Sequence, residues 1–314
     1  MEKLIESIKS CDFSYHSLSK VQEALLSAKA KLPVVEFKIQ KGQAVYRCRK
    51  MTKTSNIFYF ESDISYRKDI ANITSFGRAN LPNQSVFYGS LTSEEINDGI
   101  LPSIRETSAM FIEPEDEVLH EGYESYTVGM WIAKEDTYVN VIPPAGQYKK
   151  PSKLNDDIDR AFENGKYQSN TSDEIKEFYS LIGHEMCKDV LPGAHLQYGI
   201  SAIFSSFLLS QRTGIAYPSV KTDQKVLNVA FTPQKFDELF IFQRAGIVDV
   251  FKFGKDAMVR HLWVAESKNG YPLKYEDVPS ESFVPLETVV QYFKNKGFND
   301  TALIGKILDY YNRA

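Results

Sequence analysis

The sequence predicts an α+β fold: a mixed β core flanked by helices, with helical additions at both ends of the chain. Three observations lead there. Strand-like and helix-like segments follow one another without the regular β-α-β rhythm that builds a doubly wound parallel sheet. Aromatic residues make up 13% of the 314, with 20 Phe and 18 Tyr, which suits the pleated faces of a β core. No Gly-x-Gly-x-x-Gly motif follows a strand, so a Rossmann dinucleotide site is not expected.

The elements follow in chain order. Leu4, Ile5 and Ile8 share one face of a first helix, and Leu18, Val21, Leu25 and Ala28 repeat at helical spacing over residues 17–30. Pro33 ends that second helix, because its ring removes a donor and crowds the preceding turn. Residues 1–40 are read as a helical cap on the main core. Residues 44–48 and 57–60 are strand candidates, residues 62–75 are polar and turn-like, and Val86-Phe87-Tyr88 is a short strand after a Pro-Asn turn. Residues 92–110 read as two helices, broken at Gly99 and Pro102. Residues 126–131 and 138–142 read as paired strands. Residues 149–170 are polar, with a short amphipathic piece at 158–162, and form the candidate lid.

A strong helix is expected over residues 172–190 and a very apolar, buried one over 196–211. Residues 214–220 and 226–231 read as strands, and 240–253 has hairpin character around Gly246. Residues 286–293 and 301–311 are helical, with Pro285 suited to the start of the first. The main domain is placed at 41–260 and a C-terminal helical extension at 261–314.

Composition excludes several classes. A net charge of −4 gives no global basic field, so a nucleic-acid partner is not expected. The apolar runs are too short to span a bilayer and the amino terminus lacks a signal-peptide core, so a cytoplasmic location is expected. Cys11, Cys48 and Cys187 are far apart and read as reduced thiols. The five histidines show neither His-Glu-x-x-His nor another ligand spacing, and no metal is expected.

Five residues carry the chemistry. Arg78 sits in a Gly77-Arg78-Ala79-Asn80 turn, where a guanidinium can hold a pyrophosphate in two-pronged fashion or tie down its own loop through backbone carbonyls. Arg47 lies on a strand and shares a face with Arg49; it reads either as a surface salt bridge or as an inward arginine that needs a phosphate or Glu106 as partner. Glu106 follows Arg105 on a helix, and reads either as a solvated face or as a carboxylate supporting positive charge on a ribose. Tyr88 can stack on a ligand ring, with Phe87 turned to the opposite side. Ser219 follows Pro218, which holds Tyr217 extended and fixes the approach of the serine hydroxyl; it is assigned to ligand binding rather than to nucleophilic attack.

Taken in order, Tyr46-Arg47, Gly77-Arg78-Ala79-Asn80, Val86-Phe87-Tyr88-Gly89-Ser90, Glu106, Tyr217-Pro218-Ser219 and Leu227-Asn228-Val229-Ala230-Phe231 resemble the RES-domain family, named for its recurring Arg, Glu and Ser. The resemblance covers about residues 46–231. It implies a fold related to ADP-ribosyltransferases and NAD as a substrate rather than a cofactor. Members break the nicotinamide–ribose bond by phosphorolysis or hydrolysis, or transfer ADP-ribose to a protein, and many are toxins paired with a small antitoxin. By that resemblance Arg47 and Arg78 bind anions, Tyr88 stands at the nicotinamide end, Glu106 is the acid, Ser219 is the serine, and Tyr46 and Asn80 complete the substrate pocket. The same residues would serve protein ADP-ribosylation, or a nucleotide-binding interaction module without turnover. Two departures stand out. The gap from Tyr88 to Glu106 is long, leaving Glu94, Glu95 and Glu113 as rival acids, and residues 138–197 exceed what a minimal member needs.

Overall fold

The computed structural model describes residues 1–28, 35–52, 58–92, 98–111, 121–143, 153–164, 173–191, 193–266 and 271–298, with 305, 307 and 309. The helices are α1 (Glu2–Lys9), α2 (Tyr15–Ala28), α3 (Glu61–Ile64), α4 (Ile100–Thr107), α5 (Lys153–Asn164), α6 (Asp173–Cys187), α7 (Gly199–Gln211), α8 (Pro233–Leu239) and α9 (Leu286–Asn295). The strands are β1 (Val35–Ile39), β2 (Ala44–Lys50), β3 (Phe87–Leu91), β4 (Gly122–Ala133), β5 (Thr137–Val141), β6 (Ile215–Pro218), β7 (Leu227–Phe231), β8 (Phe240–Phe253), β9 (Asp256–Glu266) and β10 (Glu276–Asp277). The fold is α+β, with a mixed β core and helical flanks. No helix among the described residues is long and apolar enough to cross a membrane.

The chain divides into two compact units. The first comprises residues 1–43, 66–97 and 133–240, the second residues 44–65, 98–132 and 241–314. Both are therefore assembled from three stretches of chain. The helices at residues 1–28 belong to the core of the first unit, and residue 260 lies inside β9.

In the first unit the strand order is β1-β5-β6-β7-β3, antiparallel except for the parallel β5–β6 pair. Side chains alternate across it. One face carries Phe87 and Phe231 toward α8, where the Phe87 and Phe236 rings stack with centroids 3.5 Å apart. Pro233 occupies the first turn of α8 and the Thr232 Oγ1 accepts from Lys235 N, which starts the helix at that point. The other face carries Tyr88, Ala230, Ile215 and Tyr217 into the main core with α1, α2, α6 and α7. α1 buries Leu4, Ile5 and Ile8, and α2 buries Leu18, Val21, Ala24, Leu25 and Ala28, the stripes their spacing predicts. α7 is buried almost all round, as its apolar sequence requires.

In the second unit the order is β2-β4-β8-β9-β10. The residue 240–253 segment is one 14-residue strand, not a hairpin. Gly246 simply pairs with Val264 across β9, and the reversal falls at Gly254, whose φ of 54° supplies the left-handed geometry a tight turn needs. The strands at 126–131 and 138–142 also do not pair with each other. β5 already has β1 on one edge and β6 on the other, while β4 pairs with β2 and β8. Phe58 and Tyr59 are irregular rather than strand, and residues 53–57 lie outside the described residues. The polar 62–75 stretch holds the end of α3 and a short 3-10 turn at Ile70–Asn72. The expected lid contributes α5, and its remaining residues, like most of 301–311, lie outside the described residues.

Candidate functional site

The Gly77–Asn80 turn of the first unit is built around the Tyr88 hydroxyl. That hydroxyl donates to Asn80 Oδ1 at 2.8 Å and accepts from Ala79 N at 2.8 Å. Gly77 N donates to Asn80 O at 3.1 Å and closes the turn. A side chain at Gly77 would overlap Asn80 Oδ1 and touch the Tyr88 hydroxyl, so the glycine is required by close approach. Asn80 Nδ2 donates to Leu81 O at 2.9 Å. Phe87 faces the opposite side, as the strand alternation predicts.

Arg78 projects from this turn to the end of α6. Its Nη1 donates to Met186 O and its Nη2 to Lys188 O at 3.1 Å, and the guanidinium lies 5.2 Å from the Tyr198 ring centroid. The last carbonyls of a helix have no partner within it, and a planar two-pronged cation satisfies two at once. Of the two roles open to Arg78 in the sequence, loop and helix-end anchoring is the one its contacts describe. Two of its five N–H donors serve these carbonyls.

Beside Tyr88, a polar row crosses three strands on the same face. Ser90, Asn228 and Tyr217 are direct register partners, and Ser90 Oγ donates to Asn228 Oδ1 at 3.0 Å. All three are buried. Ser219 follows at the end of β6, also buried, with its amide donating to Val226 O at 2.8 Å and its carbonyl accepting from Gln224 N at 2.8 Å. The turn after it places Asp223 and Gln224 consecutively in the left-handed region, at φ 50° and 62°. Two non-glycine residues in that region cost about 1–2 kcal/mol each.

In the second unit, β2 presents Tyr46 and Cys48 to one face and Arg47 and Arg49 to the other. α4 covers the first face: Cys48 Sγ donates to Ser103 O at 3.0 Å and contacts Thr107 Oγ1 at 3.2 Å. Burial pushes the Cys48 thiol up to about 11, so it is a packed thiol and not a nucleophile. Gly99 leaves room for the Tyr46 ring, which a Cβ there would overlap. Burial also raises the Tyr46 phenol, helped by the Asp98 carboxylate and opposed by Arg244. On the other face, Arg47 Nε donates to Ile64 O at 3.1 Å and Arg49 Nη2 to Ser65 O at 2.9 Å, which satisfies the end of α3.

Glu106 is exposed on α4, the helix that covers the Cys48 face. Arg47 therefore points to the face of β2 away from α4, the helix that carries Glu106. Asn80 and Tyr88 share one network with the Ala79 amide, Arg78 leads away from it to the end of α6, and Tyr46 and Arg47 diverge as neighbours on a strand must. The rival acids Glu94, Glu95 and Glu113 lie outside the described residues.

Sequence reasoning missed two things. Both candidate arginines serve helix ends, which no local motif announces. It also missed a cavity of about 700 Å³ in the first unit, lined by Lys38, Lys41, Lys153 and Lys225. These lysines are dispersed along the chain, and the only local signal was the Gln40-Lys41-Gly42-Gln43 turn. Neither a scan against protein-family models nor a search of curated proteins found any match to this chain.

Proposed function

We propose that this chain is an NAD-degrading enzyme that cleaves the nicotinamide–ribose bond by phosphorolysis or hydrolysis, acting as a toxin or defence protein held in check by a small antitoxin. One observation carries the reading. The motif segments at 77–90 and 217–231, far apart in sequence, lie side by side in β3, β7 and β6, with Tyr88, Ser90, Asn228 and Tyr217 on one face. That is the juxtaposition expected if those segments form a single ligand wall.

In the proposed reaction the bond between the nicotinamide nitrogen and ribose C1′ breaks, and nicotinamide leaves with the bonding pair. Positive charge develops on the ribose and is quenched by phosphate or by water, which loses its proton. Tyr88 packs against the nicotinamide end, with its hydroxyl held by Asn80 and Ala79. Arg78 offers its remaining donors to the pyrophosphate while it anchors the turn. Ser219 completes binding in the first unit; the family resemblance alone would add Tyr46 and Arg47 of the second unit to binding and give Glu106 the role of the carboxylate that stabilises the ribose cation.

A second reading is favoured by a specific observation. Both candidate arginines already bond helix-end carbonyls, and Arg47 lies on the face of β2 away from α4, which carries Glu106. That arrangement suits a nucleotide-binding interaction module without turnover.

Incubation of the purified chain with NAD, with and without phosphate, separates the readings. Release of nicotinamide that depends on phosphate is the result of phosphorolysis, release without it is hydrolysis, and label on a protein is ADP-ribosyl transfer. Binding without release supports the inactive module and overturns the enzyme. In the active case Glu106→Gln lowers kcat by about 10²-fold with the melting temperature unchanged. Full activity of that variant would move the role to Glu94, Glu95 or Glu113.

A further inference from the structure

We propose that the lysine-lined cavity of the first unit is a binding site for the phosphates of a nucleoside diphosphate, separate from the Tyr88 face. The inference does not rest on the NAD reading. Leu91 and Leu227 line the cavity, and alternation along β3 and β7 puts both on the face opposite Tyr88, Ser90 and Asn228.

Three stretches of chain bring the charge together. The first is the turn at residues 40–43, closed by Gln43 N donating to Gln40 O at 2.9 Å and allowed by Gly42 at φ 84°. It holds Lys41 at its tip, and Gln43 Nε2 fastens it to Thr92 O at 3.4 Å. The second is the first turn of the 12-residue helix α5, which supplies Lys153 and the partial positive charge of a helix N-terminus. The third is the left-handed pair Asp223-Gln224, which delivers Lys225 immediately before β7.

The acids nearby are already engaged. Asp136 pairs with Lys38 at 2.6 Å and accepts from Lys41 N at 2.9 Å, and Asp157, the one acid among the described residues of the wall, pairs with Arg160 at 2.7 Å. Lys41 and Lys225 have no side-chain hydrogen bond or ion pair among the described residues. Among the described residues four lysines line this cavity against one lining aspartate, and with Lys38 offset by Asp136 the charge offered to an incoming anion is chiefly that of Lys41 and Lys225. Like charges so placed repel less when an anion joins them.

The rest of the wall fits the other half of the ligand. Phe37, Leu154 and Leu227 offer an apolar surface for a base, and a cavity of about 700 Å³ is in the usual range for a small-molecule site. Lysines serve phosphate as point charges, without the fixed fork of arginine, which suits a flexible diphosphate.

The test is calorimetric titration of the full chain with ADP, inorganic pyrophosphate and adenosine, repeated with Lys41→Glu/Lys225→Glu, the neutral Lys41→Gln/Lys225→Gln and Tyr88→Phe. ADP and pyrophosphate should bind, and raised salt should weaken both. The charge-reversed pair should lose roughly tenfold or more in ADP affinity and the neutral pair less, with thermal melting unchanged. Tyr88→Phe should bind ADP as the parent does. No binding of ADP or pyrophosphate at millimolar concentration overturns the site. So does ADP binding that survives both lysine pairs, or that is lost only in Tyr88→Phe. A double variant that loses ADP binding but still cleaves NAD separates this site from the proposed reaction.

Discussion

The two units bury different kinds of polarity. In the first, apart from Glu185, the described buried polar groups are hydroxyls and amides, among them Asn80, Ser85, Ser90, Ser201, Ser205, Ser219 and Asn228. In the second, Asp249, Lys252 and Arg260 are all buried, and Glu124 is nearly so. Neutral groups cost little to bury once hydrogen-bonded, whereas ions cost far more and must be matched. The buried core of the first unit should therefore add little to the pH dependence of stability, and that of the second unit more.

The largest effect should come from Asp249. Its Oδ1 accepts from the Tyr123 hydroxyl and from Ser125 Oγ, both at 2.6 Å, and it stands opposite Arg260 in the β8–β9 register. Asp249→Ala should cost about 2–4 kcal/mol in urea unfolding, because the facing buried cation loses its carboxylate. Burial raises the Asp249 carboxyl, with Ser125, Tyr123 and Arg260 opposing. A carboxyl raised in the folded state contributes stability at low pH that is lost as pH climbs from its unfolded value through its folded one. Asp249→Asn should flatten that decline. A decline unchanged in Asp249→Asn would remove Asp249 as the source of the contrast between the units.

Next in size is Arg78→Ala, expected to cost about 1–3 kcal/mol by leaving the Met186 and Lys188 carbonyls without their donor. Arg78→Lys should recover little of this, since one ammonium lacks the planar fork that reaches both carbonyls. Hydrogen exchange at the end of α6 measures it, and protection equal to the parent's would show that Arg78 does not hold that helix. Full rescue by lysine would show that charge, not geometry, is what matters.

The smallest expected effect is at Glu124. Burial tends to raise its carboxyl, but Lys50, Ser108 and Tyr126 together hold it below the ordinary glutamate value. A lowered carboxyl stabilises above its unfolded value, and that contribution is lost as pH falls through the folded one. Glu124→Gln should cost about 1–2 kcal/mol at neutral pH, shrinking toward zero on acidification. A penalty independent of pH would reduce Glu124 to packing. The pH dependences of Asp249 and Glu124 thus run in opposite senses within one unit.

Part of the fold was legible because it depends on neighbours in sequence. The stripes of α1 and α2 and the alternation of Phe87 with Tyr88 follow from periodicity and local stereochemistry, whereas the α8 start at Thr232-Pro233 was not read from the sequence. The hairpin at Gly246 was misplaced because glycine also fits the interior of a paired strand, and only the β9 register shows which use applies. The paired strands at 126–131 and 138–142 failed for a similar reason: short separation favours pairing, but each edge can be filled only once. For Arg78 the sequence supplied two possible partners, an anion or a carbonyl, while for Arg47 it offered a phosphate, Glu106 or a surface salt bridge and not the Ile64 carbonyl it bonds.

The sequence by itself determined the α+β class, the helical stripes and the Gly77–Tyr88 turn, since these are set by interactions a few residues long. Tertiary structure alone decided that Ser90 meets Asn228, that Arg47 faces away from the helix carrying Glu106, and that Lys38, Lys41, Lys153 and Lys225 share a cavity. Those contacts close loops of dozens of residues or more, and no local preference specifies where such a loop ends; the packing of the whole core does.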